Sequence, residues 1–362
     1  MGDGKDAATV VLAGPTRDQS VRTPKRSSRP AIELVRGTFV GRYVIVDELG
    51  EGGMGVVYAA YDPELDRKVA LKVLRPERAA QDDASARLVA EARALAKLSH
   101  PNVVSIFDVQ TVDGQVVLAM EFVDGQTVDE WLTREPRTWR EILAVFAAAG
   151  RGLAGAHAAQ FVHRDFKPNN VMIAHDAPHA VRVLDFGLAQ TASLTTDDQE
   201  VETLATSGEG TSDSGHHGDS GRLTHTGFAV GTPRYMSPEQ RRGRRVDARS
   251  DQFSFCVALW ESLFGEPPHA GTSRSEVARA AARGVLREPK RGRAPAFVVR
   301  ALRRGLQPDP DARFASMEAL LAALRRDPSK RRRQVALASV GGVFVLGAGV
   351  GLGRIDAPPS SP

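Results

Sequence analysis

Three polar side chains lie close together in the stretch 161–173, F-V-H-R-D-F-K-P-N-N-V-M-I, and a fourth follows in Asp185-Phe186-Gly187. Asp165 can accept a proton from an attacking hydroxyl, and Lys167 can neutralise charge on a phosphoryl oxygen. Asn170 offers a hard cation an amide oxygen, and Asp185 offers it an anionic one. The flanking runs are apolar and read as short buried strands, which leaves the first three groups on one irregular loop. A lone Asp-x-Lys would be an ordinary solvated loop; the set of matched positions together with D-F-G is not.

These residues resemble the catalytic loop and the metal loop of the eukaryotic-like protein kinases, H-R-D-L-x-x-x-N and D-F-G. The resemblance covers roughly residues 43–325 and has the form of the bacterial, Hanks-type, membrane-anchored serine/threonine kinases. It implies an α+β fold of two lobes, a small β-rich N-lobe and a larger helical C-lobe. Its implied cofactors are ATP and Mg²⁺, with Mn²⁺ as a substitute, and its implied reaction is phosphoryl transfer to Ser or Thr of protein substrates. A catalytically weak nucleotide-binding scaffold is the alternative; such a protein should lack one of Lys72, Asp165, Asn170 or Asp185, and all four are present.

The chain has 362 residues, 42% hydrophobic and 25% charged, enough for one large or two small cores. Its net charge of +4 is too small for a nucleic-acid footprint spread over the fold. Cys256 sits in an apolar run and reads as a buried small side chain; one cysteine makes no intrachain disulfide. Residues 1–38 are rich in Gly, Ser, Thr, Arg and Pro without periodicity and read as a disordered leader. It has no apolar core of a signal peptide, and Asp6 occupies the hydroxyl position of the myristoylation pattern.

The elements that must position the reactive groups begin with the expected N-lobe, 39–124. Y-V-I-V-D-E-L from Tyr43 alternates like a half-buried strand, and Gly50, Gly52 and Gly55 follow as G-x-G-x-x-G with Val57 beyond. A dinucleotide-binding fold uses the same spacing, but V-V-Y-A-A-Y reads as a strand and not a helix. A glycine hairpin lets backbone N–H groups approach phosphates closely. Val69 to Lys72 reads as a strand ending in a lysine, in the position of V-A-I-K. Residues 83–98 are helical in pattern, with Leu88, Ala92 and Leu95 on one face and Glu91 beside them. Glu91 is expected to pair with Lys72 in the active state and hold it on the α- and β-phosphates; the rival is a surface pair with Arg87. By resemblance, Met120 flanks the adenine pocket, the backbone from Glu121 to Val123 bonds the base, and Val57, Ala70 and Met172 sandwich it. Each of these is equally well explained as core.

The expected C-lobe, 125–325, opens a long helix at the capping box Thr138-Trp-Arg-Glu141. A second helix is expected to begin at Asp251 and to be buried nearly all round up to Leu263. By resemblance, Asp251 braces the catalytic-loop backbone, and Glu239 of S-P-E pairs with Arg313. Between D-F-G and that motif lies a long segment whose part 191–221 is hydroxylic and acidic and reads as a disordered insertion. Thr224 and Thr226 resemble autophosphorylation positions, with Arg164 as the phosphate's partner. Thr232 resembles the residue that, with Lys167, marks Ser/Thr specificity.

Residues 326–334 form a basic juxtamembrane cluster, and 335–353 run without a charge. At about 1.5 Å per residue they nearly span the ~30 Å hydrocarbon core, so one transmembrane helix is expected. The arginines on its amino side put the kinase domain in the cytoplasm at the inner or cell membrane, with 354–362 as an external tail. Gly347-x-x-x-Gly351 is the small-residue spacing of helix pairs, which makes the membrane and a homodimer expected partners. A Gly-rich tail without helix is the rival reading.

Overall fold

The computed structural model describes residues 34–52, 55–74, 82–175, 180–186, 233–289 and 294–325, with side chains in the first helix from 86 onward. Residues 1–33 of the expected leader, the insertion, the basic cluster and the membrane span lie outside these residues, whereas 34–38 are ordered against β2: the Gly37 N–H donates to Ile45 O at 2.8 Å and the Ile45 N–H to Thr38 O at 2.9 Å. Among the described residues, no helix is long and apolar enough to cross a membrane.

The first part of the chain builds an antiparallel sheet of six strands in the order β1-β2-β3-β4-β6-β5. Their ranges are β1 Phe39–Val40, β2 Tyr43–Gly52, β3 Gly55–Asp62, β4 Arg67–Leu74, β5 Ile106–Val112 and β6 Gln115–Glu121. Helix α1, Asp82–Leu95, lies between β4 and β5 in sequence. It stops three residues short of the expected 98 because Lys97 and Leu98 turn tightly onto the carbonyls of Ala94 and Leu95.

Alternation along β4 sorts its side chains to two faces. Val69 and Leu71 join Tyr43, Ile45, Tyr58 and Ala119 in one apolar cluster. Ala70 and Leu74 join Leu88 and Ala92 of α1, with Leu118 and Met120 of β6, in another. Lys72 shares this second face by its even spacing, so a cation that is 7% exposed lies beside the apolar groups.

A three-stranded sheet, β7 Gly125–Thr127, β8 Val171–Ala174 and β9 Val181–Val183, links this sheet to a helical region. There follow α2 Val128–Arg134, α3 Trp139–Ala158, α4 Pro238–Arg241, α5 Ala248–Phe264, α6 Arg274–Arg283, α7 Ala296–Gly305 and α8 Met317–Arg325. The α3 capping box forms: Thr138 N–H donates to Glu141 at 2.8 Å, and Glu141 N–H returns to Thr138 Oγ1 at 3.3 Å. Helix α5 is buried from Ser250 through Trp260 and stops at Gly265, whose φ is 75°. It starts at Ala248 and not at Asp251, because Asp247 caps it by accepting the Arg249 N–H at 2.8 Å. Asp251 therefore stands one turn inside a buried helix. That position is costly for a carboxylate unless every oxygen is satisfied.

Candidate active site

Asp251 is satisfied by the loop it faces. Its Oδ1 accepts the Arg164 N–H at 2.8 Å, and its Oδ2 accepts the His163 N–H at 2.7 Å and meets His157 Nε2 at 2.7 Å. Burial alone would push its pKa up, but the hydrogen bonds from His157 and from the His163 N–H outweigh that and hold it below the usual carboxylate range. The same bonds keep Arg164 in a left-handed backbone conformation, φ 65°, which a residue with a Cβ adopts only when its surroundings impose it.

His163 carries the bracing one step further. Its Nδ1 accepts the Asp165 N–H at 3.3 Å, so its proton sits on Nε2, which donates to Leu184 O at 2.8 Å. Leu184 N–H in turn donates to Asn170 O at 2.8 Å. The His163 ring lies 4.7 Å from that of Phe186. The catalytic loop and the loop of Asp185 are thus one hydrogen-bonded unit, in which Asp185 also has a positive φ, 54°.

The structure brings the charged groups together at the mouth of this unit. Lys167 Nζ bonds Asp165 Oδ2 at 2.7 Å, and Asn170 Nδ2 donates to Asp165 O at 2.8 Å. Using the amide nitrogen this way leaves the Asn170 amide oxygen as the group to offer a cation. Lys72 reaches across from β4 to Asp185 Oδ1 at 2.6 Å. Burial works against the Asp185 carboxylate, while the Lys72 charge and hydrogen bond, with Lys167 adding to them, hold its pKa below the usual range. Glu91 stands half-buried on α1 next to buried Ala92.

Around the opening, Val57, Ala70, Met120, Val123 and Leu184 belong to one apolar cluster. Val57 is paired with Lys72 and Ala70 with Met120 across the strands. Met172 is half-buried on β8. The Glu121 N–H is taken by Ser105 O at 2.9 Å, and its side chain binds Arg182 at 2.9 Å. Gly50 and Gly52 lie on β2, where an added Cβ would meet nothing within 4 Å; at Gly55 it would lie 2.1 Å from Val73 O.

Glu239 and Arg313 form a buried bidentate pair, at 2.7 and 2.9 Å, and Ser250 Oγ donates to Glu239 Oε1 at 2.6 Å. The neighbouring Gln240 donates to Arg164 O at 2.7 Å, which fastens α4 to the catalytic loop. Arg164 Nε and Nη1 have no hydrogen-bond partner among the described residues. Thr224, Thr226 and Thr232 lie outside them.

Sequence reasoning missed the parts played by His157, Leu184 and Gln240. His157 is a polar residue in the last turn of a helix whose second half is otherwise apolar but for Arg151, and Leu184 directly precedes D-F-G; those were the available signals. Gln240 had none.

The donor set fits a magnesium nucleotide. No group of three or more His, Cys, Asp or Glu that could hold a metal occurs among the described residues. Asp185 and Asn170 offer one carboxylate and one amide oxygen, as suits an ion that takes its other ligands from phosphates and water.

A family model described as the protein kinase domain matches residues 43–331. The chain is 35% identical over 309 residues to serine/threonine-protein kinase pkn3 of Myxococcus xanthus, covering 83% of this chain and 52% of that protein. It is 35% identical over 300 residues to serine/threonine-protein kinase PknB of Mycobacterium tuberculosis, covering 82% and 41%. The crystal structure of the Mycobacterium tuberculosis PknI kinase domain superposes with a TM-score of 0.59 at 26% identity, covering 80% of this chain and 98% of that one. The chain spans about half or less of the length of the curated relatives it matches.

Proposed function

The chain belongs to the protein kinase family, and from that premise we propose that it transfers the γ-phosphoryl group of ATP to Ser or Thr hydroxyls of proteins, its own activation segment among them. The observation that carries the reading is the convergence of Asp165, Lys167 and Asn170 with Lys72 and Asp185 on two loops tied to each other by the Asn170 and Leu184 backbones. Asp165 orients the acceptor hydroxyl and finally takes its proton. Lys167, 2.7 Å from Asp165, places positive charge where a phosphoryl oxygen passes. Lys72 exchanges Asp185 for the α- and β-phosphates, with Glu91 holding it there. The apolar cluster around Ala70 and Met120 takes the base. Asp185 and Asn170 would hold a magnesium ion, which would supply neutralisation of the phosphate charge. Asp165→Asn should cut phosphate transfer from labelled ATP by about 10²- to 10⁴-fold without lowering the melting temperature. Comparable label on both proteins would end the catalytic assignment. The scaffold alternative has no observation in its favour.

Activation and location extend the proposal. Phosphate on Thr224 or Thr226 would find the unpartnered guanidinium nitrogens of Arg164. Residues 335–353 form the membrane span, the kinase domain faces the cytoplasm, and helix association brings two copies together for phosphorylation in trans. Deleting 335–362 should then lower phosphorylation of Thr224 and Thr226 at low protein concentration, read by mass spectrometry. Unchanged phosphorylation argues against the tail's role.

A further inference from the structure

Helix α4 runs into Arg241-Arg242-Gly243-Arg244-Arg245, and Arg242, Arg244 and Arg245 are exposed. These three line an open cavity of about 430 Å³ whose other walls are Pro308, Asp309, Pro310 and Glu239. The acids in those walls are engaged already. Glu239 is bound to Arg313 and Ser250, and Asp309 accepts the Asp311 N–H at 3.0 Å. The neighbouring Arg249 pairs with Asp311, but among the described residues no carboxylate pairs with Arg242, Arg244 or Arg245. The carbonyls closing α4 are also spent, since Glu239 O and Gln240 O accept the N–H groups of Arg242, Gly243 and Arg244. The cavity therefore presents concentrated positive charge. One exposed ion pair is worth only ~0.2–1 kcal/mol, so the occupant must be multiply negative.

The chain contains such an occupant. Residues 191–221 hold seven Asp and Glu and no Lys or Arg. The segment ends twelve residues before Pro233, a tether that reaches up to about 40 Å at roughly 3.3–3.6 Å per residue. The tether arrives beside the arginines, because Arg241 donates a hydrogen bond to Pro233 O. A short tether raises local concentration to the millimolar range, which suffices for several weak pairs acting together.

We propose that Arg242, Arg244 and Arg245 form a docking surface for the acidic segment 191–221 of the same chain. Each phosphate added to a Ser or Thr of that segment brings about −1.5 to −2 of charge, so modification tightens the docking. The contact does not depend on phosphate transfer and stands or falls separately from the catalytic reading.

The triple variant Arg242→Lys, Arg244→Lys, Arg245→Lys of the full chain keeps the charge and supplies amines that a carbodiimide joins to carboxylates as amides. Cross-linked peptides should connect 242–245 to acids within 191–221, and should fall at least fivefold in 0.5 M salt as screening shortens the Debye length to about 4 Å. Cross-links absent, or spread evenly over acids elsewhere, would overturn the proposal. With isotope-labelled and unlabelled protein mixed, cross-links found only between copies would overturn the same-chain assignment in favour of a second molecule.

Discussion

The loop that carries Asp165 hangs by two backbone N–H groups from a fully buried carboxylate that His157 of α3 also holds, whereas the hairpin that carries Gly50 and Gly52 is held by its pairing with β3 and is exposed from Asp47 to the end of β2. On the proposed reaction, the contrast follows from what each wall of the cleft would handle. In-line transfer loses rate steeply when the acceptor and its base are misplaced by an ångström, so that wall is fixed by buried polar bonds. The nucleotide has to enter and leave, so its wall is drawn from the weakly held end of the structure. At Gly55 the missing side chain lets β3 close on Val73 O, while an added Cβ at Gly50 or Gly52 would meet nothing within 4 Å.

Breaking the fixed wall should have the largest effect. Asp251→Ala strands the His163 and Arg164 N–H groups and His157 in the core, at a cost of roughly 3–5 kcal/mol, as for other buried pairs that lose one member. Chemical denaturation measures the loss, and transfer should fall even under conditions where the variant is folded. Full activity in a folded Asp251→Ala protein would show that the catalytic loop needs no such anchor, and the contrast would fail. On the other wall, Gly55→Ala should cost about 1–3 kcal/mol through overpacking, because its Cβ meets backbone that cannot yield. Gly50→Ala should stay within about 0.5 kcal/mol and register instead as a higher KM for ATP. Equal stability losses at the two glycines would mean that the hairpin tip is packed after all.

The same division explains what could be read in the sequence. The strands, the capping box at Thr138 and the loop residues that converge in the fold were legible because each is a local pattern or lies within fifteen residues of the next. The helix start at Ala248 was missed because Asp247 and Asp251 are both plausible caps, and only the backbone shows that Asp247 turns in. His157, Gln240 and the tautomer of His163 were illegible for another reason. Their partners are Asp251, Arg164 and Leu184, which only the fold brings near. The Lys72 to Asp185 contact is likewise tertiary, since 113 residues separate the two.

Mild acid should sharpen the contrast by the smallest margin, through His269. Its ring stacks on Phe253 of α5, Nδ1 bonds Val285 O at 3.0 Å, and Nε2 has no partner among the described residues. Burial holds the imidazole's pKa below its ordinary value and the Arg241 charge adds to this, against the opposing bond to Val285. The unfolded chain, with a histidine pKa of about 6.5, then binds more protons than the folded one, so stability falls as pH drops below that value. The carboxylates of Asp251, Asp185 and Glu239 behave differently: their folded pKa values are depressed, and their contribution is kept until the pH falls below about 4. Between pH 7 and 5.5 the loss is at most about 1.4 kcal/mol per pH unit per proton. His100 is also shifted down by burial, so the measurement that isolates His269 is the difference between wild type and His269→Phe. Hydrogen exchange should show α5 loosening before β2 to β4, and His269→Phe should flatten that response; an unchanged pH slope would remove His269 from the acid sensitivity of the fixed wall.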